Sequence, residues 1–229
     1  MFKKILKTAL GLSLLVTASQ AMAEFVPLEK ELVTNPYFLN GDMTGWTLVS
    51  GASGIRPYGE VDENGDQQYY WFGGRSGYSI FKNETNMIYD ASINKGLVDY
   101  GAVNFNYSVN MATFSGDSDR GLTQIIFYDQ EMNELLKEST AWSSANSWRE
   151  ITLTGIVPES AVYSQVVFYA DRKAGSNNDA YFYAPSLVLS VSDEDAIAQF
   201  GGLVVNGPVG LSIATLALLG FAGTRKKKK

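Results

Sequence analysis

The side chains most often used for catalysis are missing from this sequence. Histidine and cysteine are both absent from its 229 residues. That excludes a Ser-His-Asp or Cys-His nucleophile, a His-ligated zinc and a disulfide. Paired carboxylates or a lysine base remain open, but with 24 acidic residues a close pair is expected by chance. The sequence therefore predicts a non-catalytic protein, with a carboxylate-dependent enzyme as the alternative.

Aromatic side chains in polar surroundings are the best candidates for ligand contact. Trp142 lies in the polar run "STAWSSANS", and Trp71 and Arg75 lie in "QQYYWFGGRSG". An exposed indole offers a flat apolar face with a polar edge, whereas a buried one only packs. We take these three residues as candidate ligand contacts.

Two clusters of oxygen-bearing side chains suggest calcium only weakly. Asp62, Asn64 and Asp66 in "VDENGDQQ" have the opening spacing of a calcium loop, but the glycine and glutamate that an EF-hand requires later are missing. Asn-Gly at 64–65 instead predicts a hairpin turn. Asp179 follows two asparagines, a pattern typical of an Asx turn. We predict no cofactor and no metal, with surface calcium at these residues as the alternative.

The elements that must position these residues are strands. In 102–111, apolar residues alternate with Asn104, Asn106, Ser108 and Asn110, as in a strand with one buried face. Further strands are predicted over 122–129, 151–157, 161–170 and 179–190, with a hairpin around 129–133. Polar turns rich in glycine, asparagine and aspartate separate them. The fold class predicted for 24–196 is an all-β sandwich.

The charge distribution argues against nucleic acid as a partner. All 24 acidic residues lie between residues 24 and 224. Only ten basic residues lie in the same segment, because three of the 18 are near the N-terminus and five are at the C-terminus. The body thus carries about −14, which repels a phosphate backbone.

Three stretches of the body resemble galactose-binding-like jelly rolls, the architecture of many carbohydrate-binding modules. They are "LVTNPYFLNGDMTGW", "SWREITLTGIVPESAVYSQVVFYA" and "AGSNNDAYFYAPSLVLS", which together cover most of 32–190. The resemblance implies a jelly-roll β-sandwich and extracellular polysaccharide as a partner. It also implies that Trp46 and Trp148, which match core positions of the family, are buried. It supports the fold more than the function, because this fold hosts many ligands.

The same resemblance bears on a structural calcium ion. In the family, a glutamate of the first strand and an aspartate of the last strand often ligate one calcium. The matching positions here are Leu39 and Tyr183, and neither is a ligand for a hard cation. We therefore expect side-chain packing to replace the ion.

The N-terminus has the layout of a secretory signal peptide. Three lysines precede an apolar run, and Ala21-Met22-Ala23 provides the small-x-small cleavage pattern through Ala21 and Ala23. The apolar run is short for a membrane span. We predict export of the chain with removal of residues 1–23.

The C-terminus predicts a membrane segment over 203–224 followed by a basic end over 225–229. Twenty-two residues form a helix of about 33 Å, enough for a hydrocarbon core of about 30 Å. The five terminal cations keep the end on the cytoplasmic side. Residues 197–229 thus form a linker plus an anchor or sorting tail.

This tail resembles the PEP-CTERM sorting signal, in its variant Val-x-x-Pro form. Proteins with that signal are processed by an exosortase, a transpeptidase-like membrane enzyme of Gram-negative bacteria that make extracellular polysaccharide. Asn206 and Gly207 depart from Pro-Glu-Pro, and a plain anchor is the alternative. The residues that match the variant are Val205, Asn206, Gly207, Pro208, Arg225 and Lys226.

Together these features predict an exported, non-catalytic protein of the cell envelope or biofilm matrix. The resemblances imply an inner-membrane-anchored intermediate, then the cell surface or extracellular space, with exopolysaccharide and an exosortase-like enzyme as partners. Two alternatives remain open: a glycan-active enzyme that uses carboxylates, and a structural adhesin that binds protein.

Overall fold

A computed structural model describes residues 28–200, except 91 and 117. In this part of the chain two short helices, α1 (Lys95–Asp99) and α2 (Glu194–Phe200), accompany twelve strands. The strands are β1 (Leu28–Glu31), β2 (Trp46–Ser50), β3 (Gly54–Val61), β4 (Gln67–Phe72), β5 (Tyr78–Asn83), β6 (Asn86–Met87), β7 (Asn104–Thr113), β8 (Arg120–Tyr128), β9 (Glu134–Ser139), β10 (Arg149–Ile156), β11 (Tyr163–Asp171) and β12 (Ala180–Val191).

The strands form two antiparallel sheets. Sheet A has the order β10-β7-β12-β4-β3, with β1 paired to β12. Sheet B has the order β2-β5-β11-β8-β9, with β6 paired to β11. The chain crosses repeatedly from one sheet to the other, as in a jelly roll. The predicted all-β sandwich is confirmed, and the five predicted strands correspond to β7, β8, β10, β11 and β12.

The core lies between the sheets and is rich in aromatic rings. Phe182 of β12 stacks on Phe168 of β11 with centroids 4.4 Å apart. Strand β7 sends Phe105, Tyr107, Val109 and Met111 inward, and its asparagines face the other way. The alternation predicted for this strand is confirmed, because the pleat places successive side chains on opposite faces.

Two hairpin turns also lie where the sequence predicts them. Between β3 and β4, the Asp62 N–H donates to the Asp66 carbonyl at 2.9 Å. Gly65 has φ +87°, a left-handed conformation that glycine adopts without strain. Between β8 and β9, the Asp129 N–H donates to the Asn133 carbonyl at 3.0 Å.

The body extends beyond the predicted boundary at residue 196. Helix α2 crosses that position and buries Ala196. Phe200, at its end, packs against Tyr100 with centroids 5.1 Å apart. The body reaches residue 200 because Ala196 and Phe200, one helical turn apart, lie on the same face of α2 and pack against it.

The predicted signal peptide, membrane segment and sorting motif lie outside the described residues. Within residues 28–200, leaving out 91 and 117, no helix is both long and apolar enough to span a bilayer.

Candidate functional site

An irregularity in β12 decides which side chains face out from sheet A. Tyr183 pairs with Asn110 and Ser186 with Ser108, so Ala184 and Pro185 together oppose a single residue of β7. This is a β-bulge, with Ala184 at φ +49°, and it reverses the in/out order of the strand. Phe182 before the bulge and Leu187 after it are therefore both buried in the core. Tyr181 and Tyr183 face outward instead.

The outward tyrosines belong to a group of six aromatic side chains, which we call the aromatic cluster. β3 and β4 contribute one ring each, β12 contributes two, and the segments before the 3-10 helix (Leu39–Gly41) and before β10 contribute one each. The members are Tyr37, Tyr58, Tyr70, Trp148, Tyr181 and Tyr183. Residues far apart in sequence thus meet on one outer face.

Trp148 lies at the centre of the aromatic cluster. Its ring meets Tyr58 at 5.4 Å and Tyr70 at 5.5 Å between centroids, both edge to face. It also lies 6.0 Å from Tyr183, and Tyr183 stacks on Tyr58 at 3.6 Å with an interplanar angle of 11°. Such arrangements are favourable beyond their buried area, so the rings form a fixed platform. Tyr37 is exposed, Tyr58, Tyr70 and Trp148 are half-buried, and Tyr181 and Tyr183 are buried by their neighbours.

The hydroxyls of Tyr181 and Tyr183 stay protonated at neutral pH. Burial and, to a lesser extent, the nearby Glu60 carboxylate raise the pKa of Tyr183 to about 12. Burial also raises the pKa of Tyr181, with the adjacent Asp179 carboxylate acting in the same direction. Tyr183 donates to the Gln68 side-chain carbonyl, and Tyr181 donates to Asp179 at 3.1 Å. The two hydroxyl groups are therefore uncharged and are held in place by hydrogen bonds.

A depression of about 240 Å³ adjoins the cluster. Arg56, beside Tyr70 in the sheet register, lies 3.9 Å from the Asp179 carboxylate and has its guanidinium 4.2 Å from the centre of the Phe72 ring. The depression brings this charged pair together with amide, hydroxyl and aromatic groups. Its lining residues are Arg56, Phe114, Gly175, Ser176, Asn177 and Asp179.

A buried carboxylate fixes the loop that forms one wall of the depression. Asp119 has none of its surface exposed. Its oxygens accept the backbone N–H groups of Lys173 at 2.6 Å, Ala174 at 3.0 Å and Asp179 at 2.8 Å. These bonds join both ends of the loop between β11 and β12 to one side chain. The loop's shape therefore depends on a residue outside it.

Uncharged polar side chains continue the same outer face away from the aromatic cluster. Two of the β7 residues that alternate with the core lie opposite β10 threonines in the register, with Thr152 facing Ser108 and Thr154 facing Asn106. At the two ends, Glu150 faces Asn110 and the exposed Ile156 faces Asn104. All are exposed or half-buried. We call the uncharged polar residues among them the polar strip, and it consists of Asn104, Asn106, Ser108, Asn110, Thr152 and Thr154.

The three residues predicted to contact ligand do not come together. Trp71 is fully buried and stacks on Phe81 at 5.0 Å, so it cannot serve as an exposed platform. Arg75 is exposed on the turn between β4 and β5. Trp142 is 37% exposed, but it lies under the Arg120 guanidinium, at 4.7 Å, beside sheet B. Trp71 is buried because β4 turns the side-chain face that carries it towards the core.

Trp148 is the functional candidate that sequence reasoning missed. It was assigned to the core, but the structure places it half-buried in the aromatic cluster. For its neighbours Tyr181 and Tyr183 the sequence does contain an indication. Pro185 lies within an otherwise regular strand pattern, and proline inside a strand marks a bulge. The contacts of Trp148 with β3 and β4 had no indication in the sequence.

The candidate metal ligands are engaged in other interactions. Asp62 accepts the backbone N–H groups of Asp66 at 2.9 Å and Asn64 at 2.8 Å. These two bonds, the Asp66 bond first, and a bond from the Asn64 side chain lower the pKa of Asp62. Asp66 accepts from the Asn40 amide at 2.8 Å. In the described part of the chain no three acidic side chains gather closely enough to hold a metal ion. Tyr183, at one of the two family calcium positions, belongs to the aromatic cluster.

The fold and this outer face define the class of the described body as a jelly-roll β-sandwich with an aromatic surface on one sheet. No model of a known protein family matches the chain, and no curated protein matches it. It is similar to the enzymatically active domain of tailspike protein 4 of bacteriophage CBA120, with 15% identity and a TM-score of 0.51. The match covers 69% of this chain and 21% of the tailspike chain.

Two other solved structures that match part of the chain contain carbohydrate-binding modules. One is TmCBM61 in complex with β-1,4-galactotriose, with 11% identity, a TM-score of 0.47, and 69% and 97% of the two chains covered. Another comprises the CBM22-1 and GH10 modules of Clostridium thermocellum xylanase 10B with xylohexaose, with 16% identity, a TM-score of 0.44, and 72% and 28% covered. At 15% identity, the similarity to the tailspike domain concerns the fold alone.

Proposed function

We propose that this chain is an exported, non-catalytic protein whose jelly-roll body binds polysaccharide through the aromatic cluster. The observation that carries the proposal is the gathering of Trp148 with tyrosines from three strands on one outer face. Aromatic rings that are held in place offer apolar faces on which the C–H surface of a sugar stacks at little cost in side-chain entropy. The neighbouring hydroxyl, amide and carboxylate groups supply hydrogen bonds to sugar hydroxyls.

Binding at such a surface is weak for a single copy. A few stacking and hydrogen-bond contacts correspond to affinities from about 1 µM to 1 mM. Many copies attached to one envelope or matrix would convert this into firm attachment, because each further contact forms at high effective concentration. We therefore assign the protein a role in associating the cell surface or matrix with exopolysaccharide.

The test is affinity electrophoresis of the full chain in native gels cast with polysaccharide, including the exopolysaccharide of the source organism. We expect retardation, and Trp148→Ala should weaken binding about tenfold or more because it removes the centre of the platform. Trp142→Ala is the matched control, since that tryptophan lies beside the other sheet. It should bind like the unchanged protein.

Three outcomes would count against this function. Absence of retardation with any polysaccharide would leave a protein-binding adhesin. Equal losses for Trp148→Ala and Trp142→Ala would remove the aromatic cluster as the site. Tyr58→Ala is the second cluster variant and replaces Trp148→Ala in this comparison if that change lowers the melting temperature. Release of reducing ends from the retarding polysaccharide would make the protein an enzyme.

For the tail we propose sorting by an exosortase-like enzyme after an inner-membrane intermediate. The proposal is supported by Val205, Pro208 and the basic end at 225–229. Intact-mass analysis of the mature protein should show loss of the segment beyond about 205–208. Pro208→Ala should impair this processing more than the matched change Asn206→Ala, because Pro208 is shared with the family motif. Recovery of protein ending at Lys229 would indicate a simple anchor.

A further inference from the structure

We propose that the aromatic cluster and the polar strip form one continuous surface for an extended, uncharged polysaccharide chain. The inference rests on the proposed function and adds to it the length and the charge class of the ligand. The length follows from the way the two groups of side chains are joined in sheet A, and the charge class follows from the charged residues around them.

The two groups meet at the bulge. Tyr183, in the aromatic cluster, is the register partner of Asn110, the first residue of the polar strip. From there the strip follows β7 away from the cluster to Asn104, with the threonines of β10 beside it. Six residue steps of an antiparallel strand measure about 20 Å. This length exceeds one sugar unit several times over, so the surface fits a chain rather than a single sugar.

The polar strip is composed to bind hydroxyl groups. Its amides each provide donors and an acceptor, and its hydroxyls provide both. Within the described residues, the side chains of Asn104, Asn106 and Asn110 make no hydrogen bond to the protein, whereas Asn83 and Asn178 of the core do. Exposed amides without a structural role are free to exchange water for a polar ligand at small cost.

The charges around the surface disfavour an anionic chain. Glu150 lies opposite Asn110 in the register, and Asp179 and Glu60 border the aromatic cluster. Arg56, a cation at this border, is already paired with Asp179 and lies over the Phe72 ring. Arg172, near the depression, donates to the Ser176 carbonyl at 3.0 Å. A uronate or sulfated chain would approach these carboxylates in a body with an excess of negative charge, and would be repelled at low ionic strength. An uncharged chain has no such penalty.

The experiment has two arms, both with the full chain. In the first, neutral glucans, xylans, mannans and galactans are compared with alginate and polygalacturonate on one polysaccharide array at low salt. We expect binding to a neutral member and none to the acidic ones. Preferential binding to an acidic polysaccharide would overturn the charge assignment while leaving the proposed function in place.

In the second arm, oligosaccharides of increasing length from the best neutral polysaccharide are titrated by calorimetry. Affinity should rise about tenfold or more from the disaccharide to the tetrasaccharide or pentasaccharide as successive units reach the strip. Asn106→Ala should reduce affinity for the long oligosaccharide about three- to tenfold and leave the disaccharide unchanged, whereas Trp148→Ala should weaken both. Gln130→Ala, on the turn between β8 and β9, is the control and should have no effect.

Failure of this inference differs from failure of the proposed function. If affinity does not depend on length, or Asn106→Ala behaves like Gln130→Ala, the aromatic cluster binds glycan alone and the polar strip is not part of the site. If no oligosaccharide or polysaccharide binds at all, both proposals are wrong.

Discussion

Replacing Asp119 by alanine should lower the free energy of unfolding by about 3 kcal/mol or more and disorder the loop between β11 and β12. The carboxylate accepts three backbone N–H groups, from Lys173, Ala174 and Asp179, and it is fully buried. Each buried donor left without a partner costs about 1–3 kcal/mol. Urea unfolding of the variant and the unchanged protein measures the difference.

A matched control separates burial from hydrogen bonding as the cause. Asp62 also accepts two backbone N–H groups, but it does so at a surface turn where water replaces it. Asp62→Ala should therefore have a much smaller effect. The Asp119→Ala variant should also lose glycan binding in proportion to its loop disorder, because Gly175, Ser176 and Asn177 of that loop line the depression. Equal destabilisation by the two changes would contradict this account.

Replacing Trp71 by alanine should lower the free energy of unfolding by about 3–5 kcal/mol, the usual cost of truncating a large buried aromatic residue. Trp71 packs among Phe81, Phe168 and Phe182 with centroid distances of 5.0, 5.9 and 5.3 Å. The alanine variant leaves a cavity between the two sheets that the surrounding rings fill only in part. Denaturant unfolding measures the loss.

Trp71→Phe is the informative partner of this change. The buried indole N–H has no hydrogen-bond partner among the described residues, so phenylalanine removes an unsatisfied donor together with some apolar area. These effects oppose each other, and the loss should stay within about 1.5 kcal/mol. The variant should keep its retardation in polysaccharide gels. Loss of binding with unchanged stability would show that Trp71 reaches the ligand after all.

The position of the aromatic cluster explains why part of the site was predictable and part was not. Strand β7 follows a strict alternation, so its sequence alone separates the core face from Asn104, Asn106, Ser108 and Asn110. The polar strip was therefore visible as a pattern, although its role was not. Strand β12 breaks the alternation at Ala184–Pro185. Without the bulge, Tyr181 and Tyr183 would share a face with Leu187 and point inward.

The tryptophans also divide into those whose burial the sequence predicted and those whose position only the tertiary structure decided. Trp46 was assigned to the core and is buried, stacked on Phe168 at 4.9 Å. Trp71 and Trp148 exchanged roles relative to their predictions: the first is buried and the second lies in the aromatic cluster. Local polarity around a tryptophan says little about its exposure, because the pairing of its strand and the loops packed on it decide which way it faces.

What the sequence by itself determined is therefore the local and the chemical part of this protein. The absence of histidine and cysteine, the strand periodicity of β7, and the turns at Asn64–Gly65 and Asp129–Asn133 follow from residue type and short-range geometry. Only the tertiary structure decided which residues form the outer face. A single bulge in β12 set its direction, and the pairing of β12 with β4 and β7 gathered Tyr58, Tyr70 and Trp148 around it. Long-range strand pairing is settled by burial over the whole sandwich, and no short stretch of sequence contains that information.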